Sequence, residues 1–380
     1  IMSTIQTNAI VDASGGNTAT VNGISPLANT ARFARNIIIN GDMNVAQRAT
    51  SQILTSGLFT CDRFKLSYAG LGQWAGTMAQ VADAPDGFGN SLKFTTTTVE
   101  TSLATGEYAY FAQFVEAQNL QHLKFGSSSA QSLTVSFWVK SSLTGVFGQS
   151  LYTQDNNGMA NATYTINTAN TWEYKTITYA GDTSRGINND TGPGMRVIWA
   201  LASGTDLNSD PTNNAWETYT DAKFNGGHVQ NALLSTDNAT IQFTGLQLET
   251  GTVATEFEHK TYASELTACQ RYCQVWAESG DAVAFAGKGQ GTTSIDFGWP
   301  LVVPLRASPT ISQTGTGWRA FRPAANLVAS TATAAVTRFG ANHPFIALRV
   351  GSFPSSSFNN NYAVNIGPHA LSQFIFDSEL

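Results

Sequence analysis

The chain has 380 residues, enough for two or three domains and a sizeable buried core. Only 12% of the residues are charged, while 11% are aromatic and glycines number 34, which describes a polar, uncharged, turn-rich surface. A net charge of -6 and a pI near 5.4 exclude a protein that tracks phosphates, which needs clustered Lys and Arg, so no nucleic-acid partner is expected. There is no apolar run of about 18 residues and no signal-peptide core, so neither membrane insertion nor secretion by the usual route is expected.

Residues 1–35 hold few apolar side chains and are broken by Gly15-Gly16 and Pro26. Such a segment cannot bury enough surface to fold alone, and it reads as an extended N-terminal arm or a floppy leader. From Asn36 the β signals begin. Ile37 to Ile39 is a short β-branched run expected to be a first strand, and Asn40-Gly41 is a turn signal. Further strands are expected at 91–98, 108–115, 147–153 and 162–167.

In the stretch 132–140, Leu133, Val135, Phe137 and Val139 share one face and are expected in the core. Trp138 falls on the opposite, polar face, either as a glycan-stacking platform or as a ring covered by a neighbouring loop or subunit. Met195, Val197, Trp199 and Leu201 alternate together, so Trp199 reads as core. Many short strands separated by Gly, Asn and Asp turns indicate a sandwich.

Two long polar loops follow, at 181–194 and 205–221. In the second, Asp206, Asn208, Asp210 and Thr212, with Glu217 at the twelfth position, match the ligand spacing of a calcium loop. Pro211 occupies the place where that loop demands Gly, so an ordinary turn-rich loop competes with the metal reading. Trp216 and Tyr219 on this loop, and Trp74 in LGQWAG, are candidate glycan contacts.

The chain turns on the stretch 239–279. Ile241 and Phe243 share one strand face, but Leu246 and Leu248 continue on the opposite parity, a slip that a β-bulge at Gly245 produces. After Gly251 the period changes. Tyr262, Leu266, Cys269, Tyr272, Cys273 and Trp276 recur at three and four residues, which predicts one amphipathic helix over 259–280. Residues 281–380 then alternate as a small C-terminal β domain, where Trp318, Phe321, Phe358 and Tyr362 could line a contact surface or fill its core. Three cysteines make no disulfide framework and fit no zinc spacing; they read as buried free thiols.

Four motifs in order carry a family resemblance: NIIINGDMNVAQR with CDRF, SLTVSFWVKSSLTG, TWEYKTITYAGDT, and GLQLETGTVATEFEHKTYASELTACQRY. Together they resemble the jelly-roll module of bacteriophage tail-fibre and receptor-binding proteins. The resemblance implies an all-β protein with an antiparallel jelly-roll β-sandwich body similar to a carbohydrate-binding module. Its parts are an attachment arm (1–35), the jelly roll (36–258), a connecting helix (259–280) and a β tip (281–380). It implies a homotrimer on a virion, made in the host cytoplasm, whose arm docks on another virion protein and whose jelly-roll and tip domains bind host-surface polysaccharide, with Trp74, Trp138, Trp216 and Tyr219 as the candidate contacts read from their sequence positions. By the same resemblance, Asp42 could meet the Glu249 region at a structural calcium. Head-fibre or capsid decoration and a tail adaptor remain alternatives. No nucleophile elbow, metalloprotease or phosphate-loop motif and no β-helix repeat is present, so a polysaccharide depolymerase is the less expected outcome and no enzyme is inferred.

Overall fold

The computed structural model describes residues 35–211, 213–224, 232–278, 285–314, 317–322, 325–329, 334–338, 345–353, 363–368 and 372–380. The expected arm, apart from Arg35, lies outside them, as do Thr212, Phe358, Tyr362 and the side chain of Phe321.

In chain order the body contains β1 (Ser51–Ile53), β2 (Phe64–Ala69), β3 (Ala75–Val81), β4 (Ser91–Thr98), β5 (Tyr108–Glu116) and β6 (Leu133–Ser141). It continues with β7 (Gly145–Thr153), β8 (Gly158–Ile166), β9 (Glu173–Tyr179), β10 (Pro193–Ser203), β11 (Glu217–Thr218), the short helix α1 (Ala232–Ser235) and β12 (Thr240–Thr250). They form two antiparallel six-stranded sheets, ordered β1-β3-β4-β12-β6-β9 and β11-β8-β7-β10-β5-β2. The chain passes from one sheet to the other after β1, β2, β4, β5, β6, β8, β9 and β11, the back-and-forth winding of a jelly roll.

Alternation along each strand sends one set of side chains between the sheets. Phe137, Phe111, Trp199 and Phe243 meet there, with Phe111 stacked on Trp199 at 5.1 Å and packed on Phe243 at 4.7 Å. The strand expectations from 91 to 201 hold, and Trp199 is fully buried.

The bulge is where the sequence placed it. The pairing of β12 with β6 shifts register between Thr244 and Gln247, and Gly245 adopts φ 62°. The slip returns Leu246 and Leu248 to the core and turns Gln247 and Glu249 the other way.

Ile37 to Ile39 is not a strand. Ile37 N donates to Leu248 O (2.9 Å), but the next amides are taken by side chains instead of a neighbouring ladder. Ile38 N donates to Asn36 Oδ1 (3.0 Å), Ile39 N to Gln113 Oε1 (2.8 Å) and Asn40 N to Glu265 Oε2 (2.8 Å). Asn36 also accepts from Leu248 N (3.1 Å) and donates to Leu246 O (3.0 Å), so it hooks the segment onto β12. Gly41 seals the hook, because a Cβ there would lie 2.1 Å from Leu246 O.

The predicted long helix is also corrected. Helix α2 spans only Tyr262–Gln270, begun by Thr261, whose hydroxyl accepts from Ser264 N (3.3 Å). Residues Cys273–Glu278 form strand β13 rather than a further two turns of helix. The three-and-four spacing of Tyr272, Cys273 and Trp276 was coincidental. Cys-Gln-Val-Trp suits a pleated strand, and a partner from the far end of the chain supplies the ladder.

The C-terminal unit continues with β14 (Phe285–Gln290), β15 (Ser294–Pro300), β16 (Thr310–Thr314), β17 (Trp318–Arg322) and β18 (Ala325–Ala329). It ends with β19 (Ala334–Arg338), β20 (Phe345–Val350), β21 (Ala363–Pro368) and β22 (Ser372–Asp377). Its sheets run β13-β22-β16 and β18-β17-β21-β14-β15-β20-β19 around a core of Trp299, Trp318, Phe374 and Phe376. Trp318 is therefore core, not contact surface. The tip sheet begins at Cys273, inside the stretch expected to be helix.

Two of the sequence motifs meet between the body and the tip. Arg63 of CDRF is 1% exposed and lies over the ring of Tyr272 from the CQRY motif. It pairs with Glu379 and donates to Phe114 O (2.5 Å). Arg48 joins Asp377 (3.0 Å), Arg271 grips Glu116 with two bonds of 2.8 Å, and Arg306 donates to Ser378 O (2.9 Å). These contacts build an arginine clasp centred on buried Arg63. All three cysteines are free and buried, and burial pushes their thiols up, so they act as small core residues.

Candidate functional site

Trp138 faces away from the core, as its parity requires, and Tyr174 on β9 lies directly opposite it in register. Their rings are 5.3 Å apart at 49°, Trp138 half-buried and Tyr174 43% exposed. Gly245 sits beside them, since a Cβ there would meet Phe88 Cζ at 2.7 Å and Trp138 Cδ1 at 3.1 Å. The left-handed bulge residue thus keeps the backbone low under two rings.

One wall of the site follows from the same bulge. Gln247 and Glu249, turned off the core parity, hold the strap 251–258 across the sheet. Glu258 N donates to Gln247 Oε1 (2.9 Å), and Thr255 donates to Glu249 through its amide (2.8 Å) and its hydroxyl (2.7 Å). Thr134 and Thr178 hydroxyls fasten the strap at Gly251 O (2.9 Å) and Thr252 O (3.2 Å). The strap delivers Phe257 and His259 to Phe88 of the loop between β3 and β4, with Phe88 5.1 Å from Phe257 and 5.2 Å from His259.

The result is a groove of about 570 Å³ lined by Trp138, Tyr174, Phe88, Phe257 and His259 with Asp86, Glu256 and Ser136. Among the described residues Asp86 and Glu256 carry no ion pair, leaving two carboxylates as open acceptors beside the rings. Next along the same face, Asp83 accepts from Lys140, Gln242 (3.2 Å) and Trp172 (3.4 Å). The Lys140 bond, above all, holds the Asp83 carboxyl below the usual range. A mostly apolar groove with a few convergent polar groups suits a ligand with one apolar and one hydroxylated aspect.

The other expected site residues lie elsewhere. Trp74 is 6% exposed, donates to Thr96 Oγ1 (3.1 Å) and meets Tyr68 edge-on, so it belongs to the core. Trp216 is half-buried, donates to Ala180 O (2.6 Å) and meets Phe125 edge-on at 5.2 Å, away from the Trp138 groove. Tyr219 sits on the outer face of the second sheet, its hydroxyl donating to Asp221 Oδ1 (2.7 Å).

The calcium spacing at 205–217 does not fold into a cage. The Lys223 ammonium lies between Asp210 (2.7 Å) and Glu217 (2.5 Å), where a cation would be needed, and Asn208 donates to Ser203 O (3.1 Å). Asp206 points to a different cleft. Asp42 and Glu249 likewise have separate partners, Asn44 for the first and Thr255 for the second. Among the described residues no group of three or more His, Cys, Asp or Glu converges as a metal site.

A third cleft, of about 560 Å³ between β8 and β9, is lined by Asn161, Thr163, Thr176, Thr178 and Asn214 among others, with no aromatic side chain among the described residues of its lining. Tyr174, Phe88, Phe257 and His259 were not anticipated. Tyr174 was readable as the aromatic of TWEYK, but the loop residues carried no periodic signal.

No known protein family matches the chain by sequence, and no curated protein does. Among solved structures, it is similar to the enzymatically active domain of bacteriophage CBA120 tailspike protein 4. The identity is 13% and the TM-score 0.31, with 57% of this chain and 22% of that one covered, so the match spans under a quarter of the tailspike domain. It is also similar to TmCBM61 in complex with β-1,4-galactotriose (12% identity, TM-score 0.28, 57% of this chain, 100% of that one). A third is the family 11 carbohydrate-binding module from Clostridium thermocellum in complex with a β-1,3-1,4-mixed-linked tetrasaccharide (13%, 0.27, 56% and 99%).

Proposed function

We propose that the body is a glycan-binding module whose sugar lies across Trp138 and Tyr174. The observation that supports this best is the pairing of half-buried Trp138 with exposed Tyr174 in a groove that also presents two open carboxylates. The apolar face of a pyranose packs on the rings, and its hydroxyls donate to Asp86 and Glu256. Binding needs no catalytic group, and the role is adhesion without turnover. The wider setting is a phage particle, with the chain as a homotrimeric tail fibre that holds host-surface polysaccharide, each site weak and the copies supplying avidity. That setting rests on the four-motif resemblance. A head-fibre or adaptor role would leave the groove without sugar affinity.

The test is an array of bacterial surface oligosaccharides probed with the purified chain and with Trp138→Ala. Signal that drops about tenfold or more in the folded variant supports the groove as the site. Signal unchanged by Trp138→Ala and by Tyr174→Ala would place sugar binding elsewhere.

A further inference from the structure

The opposite face of the sandwich carries a second aromatic layer. Tyr110, Ala112, Phe114 and Ile198 point out of β5 and β10, away from the main core, and form their own cluster with Leu207 and Phe224. The loop residues fold over it and leave a cleft of about 420 Å³ lined by Tyr108, Tyr110, Arg196, Tyr219, Asp206 and Asp221, among others. Its size falls within the roughly 300–1,000 Å³ of small-ligand sites.

We propose that this cleft is a second glycan subsite, specific for an uncharged sugar unit, so that one chain holds glycan on both outer faces. The proposal rests on the reading of the Trp138 groove as a sugar site. It requires the same three ingredients, and the cleft has them. Rings are supplied by Tyr108 and Tyr219, both half-buried, with Tyr219 braced at 5.1 Å by Tyr152. Acceptors are the exposed carboxylates of Asp206 and Asp221. The donor is Arg196, whose plane is fixed over Phe114 (4.7 Å) and Tyr152 (5.4 Å) while its Nε donates to Gln154 Oε1 (2.9 Å). Among the described residues its two terminal nitrogens make no hydrogen bond, so a prearranged fork is left for ligand oxygens.

The charge balance selects the sugar class. One guanidinium against two carboxylates leaves the cleft net negative, so a uronic-acid or phosphorylated unit is repelled while neutral hydroxyls both donate to the aspartates and accept from the arginine.

The experiment uses an array of neutral and uronic-acid-bearing bacterial oligosaccharides, probed with the whole chain, Trp138→Ala, and Trp138→Ala combined with Asp206→Asn or with Arg196→Gln. Asp206 is exposed and its side chain makes no hydrogen bond or ion pair among the described residues, so its variant tests the cleft without disturbing the fold, and thermal melts confirm that each protein is folded. The expected result is that Trp138→Ala, though its signal drops, keeps a residual signal on neutral glycans, and that either added substitution lowers that residual about tenfold or more. Four results would overturn the proposal. Loss of all signal in folded Trp138→Ala would leave the first groove as the sole site. Residual signal confined to uronic-acid glycans would refute the charge argument. Residual signal indifferent to Asp206→Asn and Arg196→Gln would place the second site elsewhere. No signal from the unsubstituted chain would defeat both the first groove and the second.

Discussion

Replacing Arg63 by alanine should loosen the joint between body and tip. Arg63 and Glu379 are a buried pair, their side chains 1% and 4% exposed. Removing one partner of such a pair costs about 3–5 kcal/mol, because the other charge is left in a poor solvent. Arg48 stands 3.6 Å from Glu379 and would share the stranded carboxylate, which argues for the lower end, about 3 kcal/mol. The lost guanidinium also uncovers the Tyr272 ring and leaves Phe114 O without its donor. Alanine tolerates the left-handed angle at this position, φ 75°, no better than arginine, so the substitution reports on the side chain. The assay is urea unfolding followed by tryptophan fluorescence, with proteolysis of the C-terminal segment as a second readout. The double variant Arg63→Met with Glu379→Leu should recover most of the loss, since neither charge is then buried alone. An Arg63→Ala effect below about 0.5 kcal/mol, the size of an ordinary surface change, would refute the clasp.

Trp74→Ala should lower stability by about 3–5 kcal/mol while leaving sugar affinity of the remaining folded protein unchanged, because its ring fills the core. Weaker binding at equal stability would return Trp74 to the site. Glu116 gives a pH test. Burial works to raise its carboxyl, but the bonds from Arg271 and Tyr272 win and hold it below the ordinary glutamate value of 4.5. A carboxylate with a lower pKa folded than unfolded stabilises fully above its unfolded value and loses that contribution as pH falls through the folded one. The stability gap between the unsubstituted chain and Glu116→Gln should therefore be widest near neutrality and close below about pH 4.5. A gap that stays constant through the acid range would show that the Arg271 pair is not what sets it.

The sandwich was legible because period-two alternation is a local signal: 132–140 and 195–201 declare which face is core, and the parity slip at Gly245 declares the bulge. Two elements were misread because their hydrogen-bond partners are distant. Ile37 to Ile39 looks like a strand, but Leu248 O and the side chains of Asn36 and Gln113 satisfy its amides. Cys273 to Trp276 continues a helical spacing, yet β22 claims it as a strand. At the site, Trp138 was visible as an aromatic on the wrong parity. Trp74 and Trp216 had looked equally free in loop sequences, and only the fold supplies Thr96 Oγ1 and Ala180 O for their indoles. Phe88, Phe257 and His259 come from irregular segments and converge only because Gln247 and Glu249 tie the strap down.

The most direct measurement of the central claim is a crystal structure of the chain soaked with an oligosaccharide that scores on the array. The account predicts a sugar ring resting on Trp138 and Tyr174, with hydroxyls within hydrogen-bond distance of Asp86 or Glu256. A well-ordered sugar bound elsewhere, with that groove empty, would contradict it.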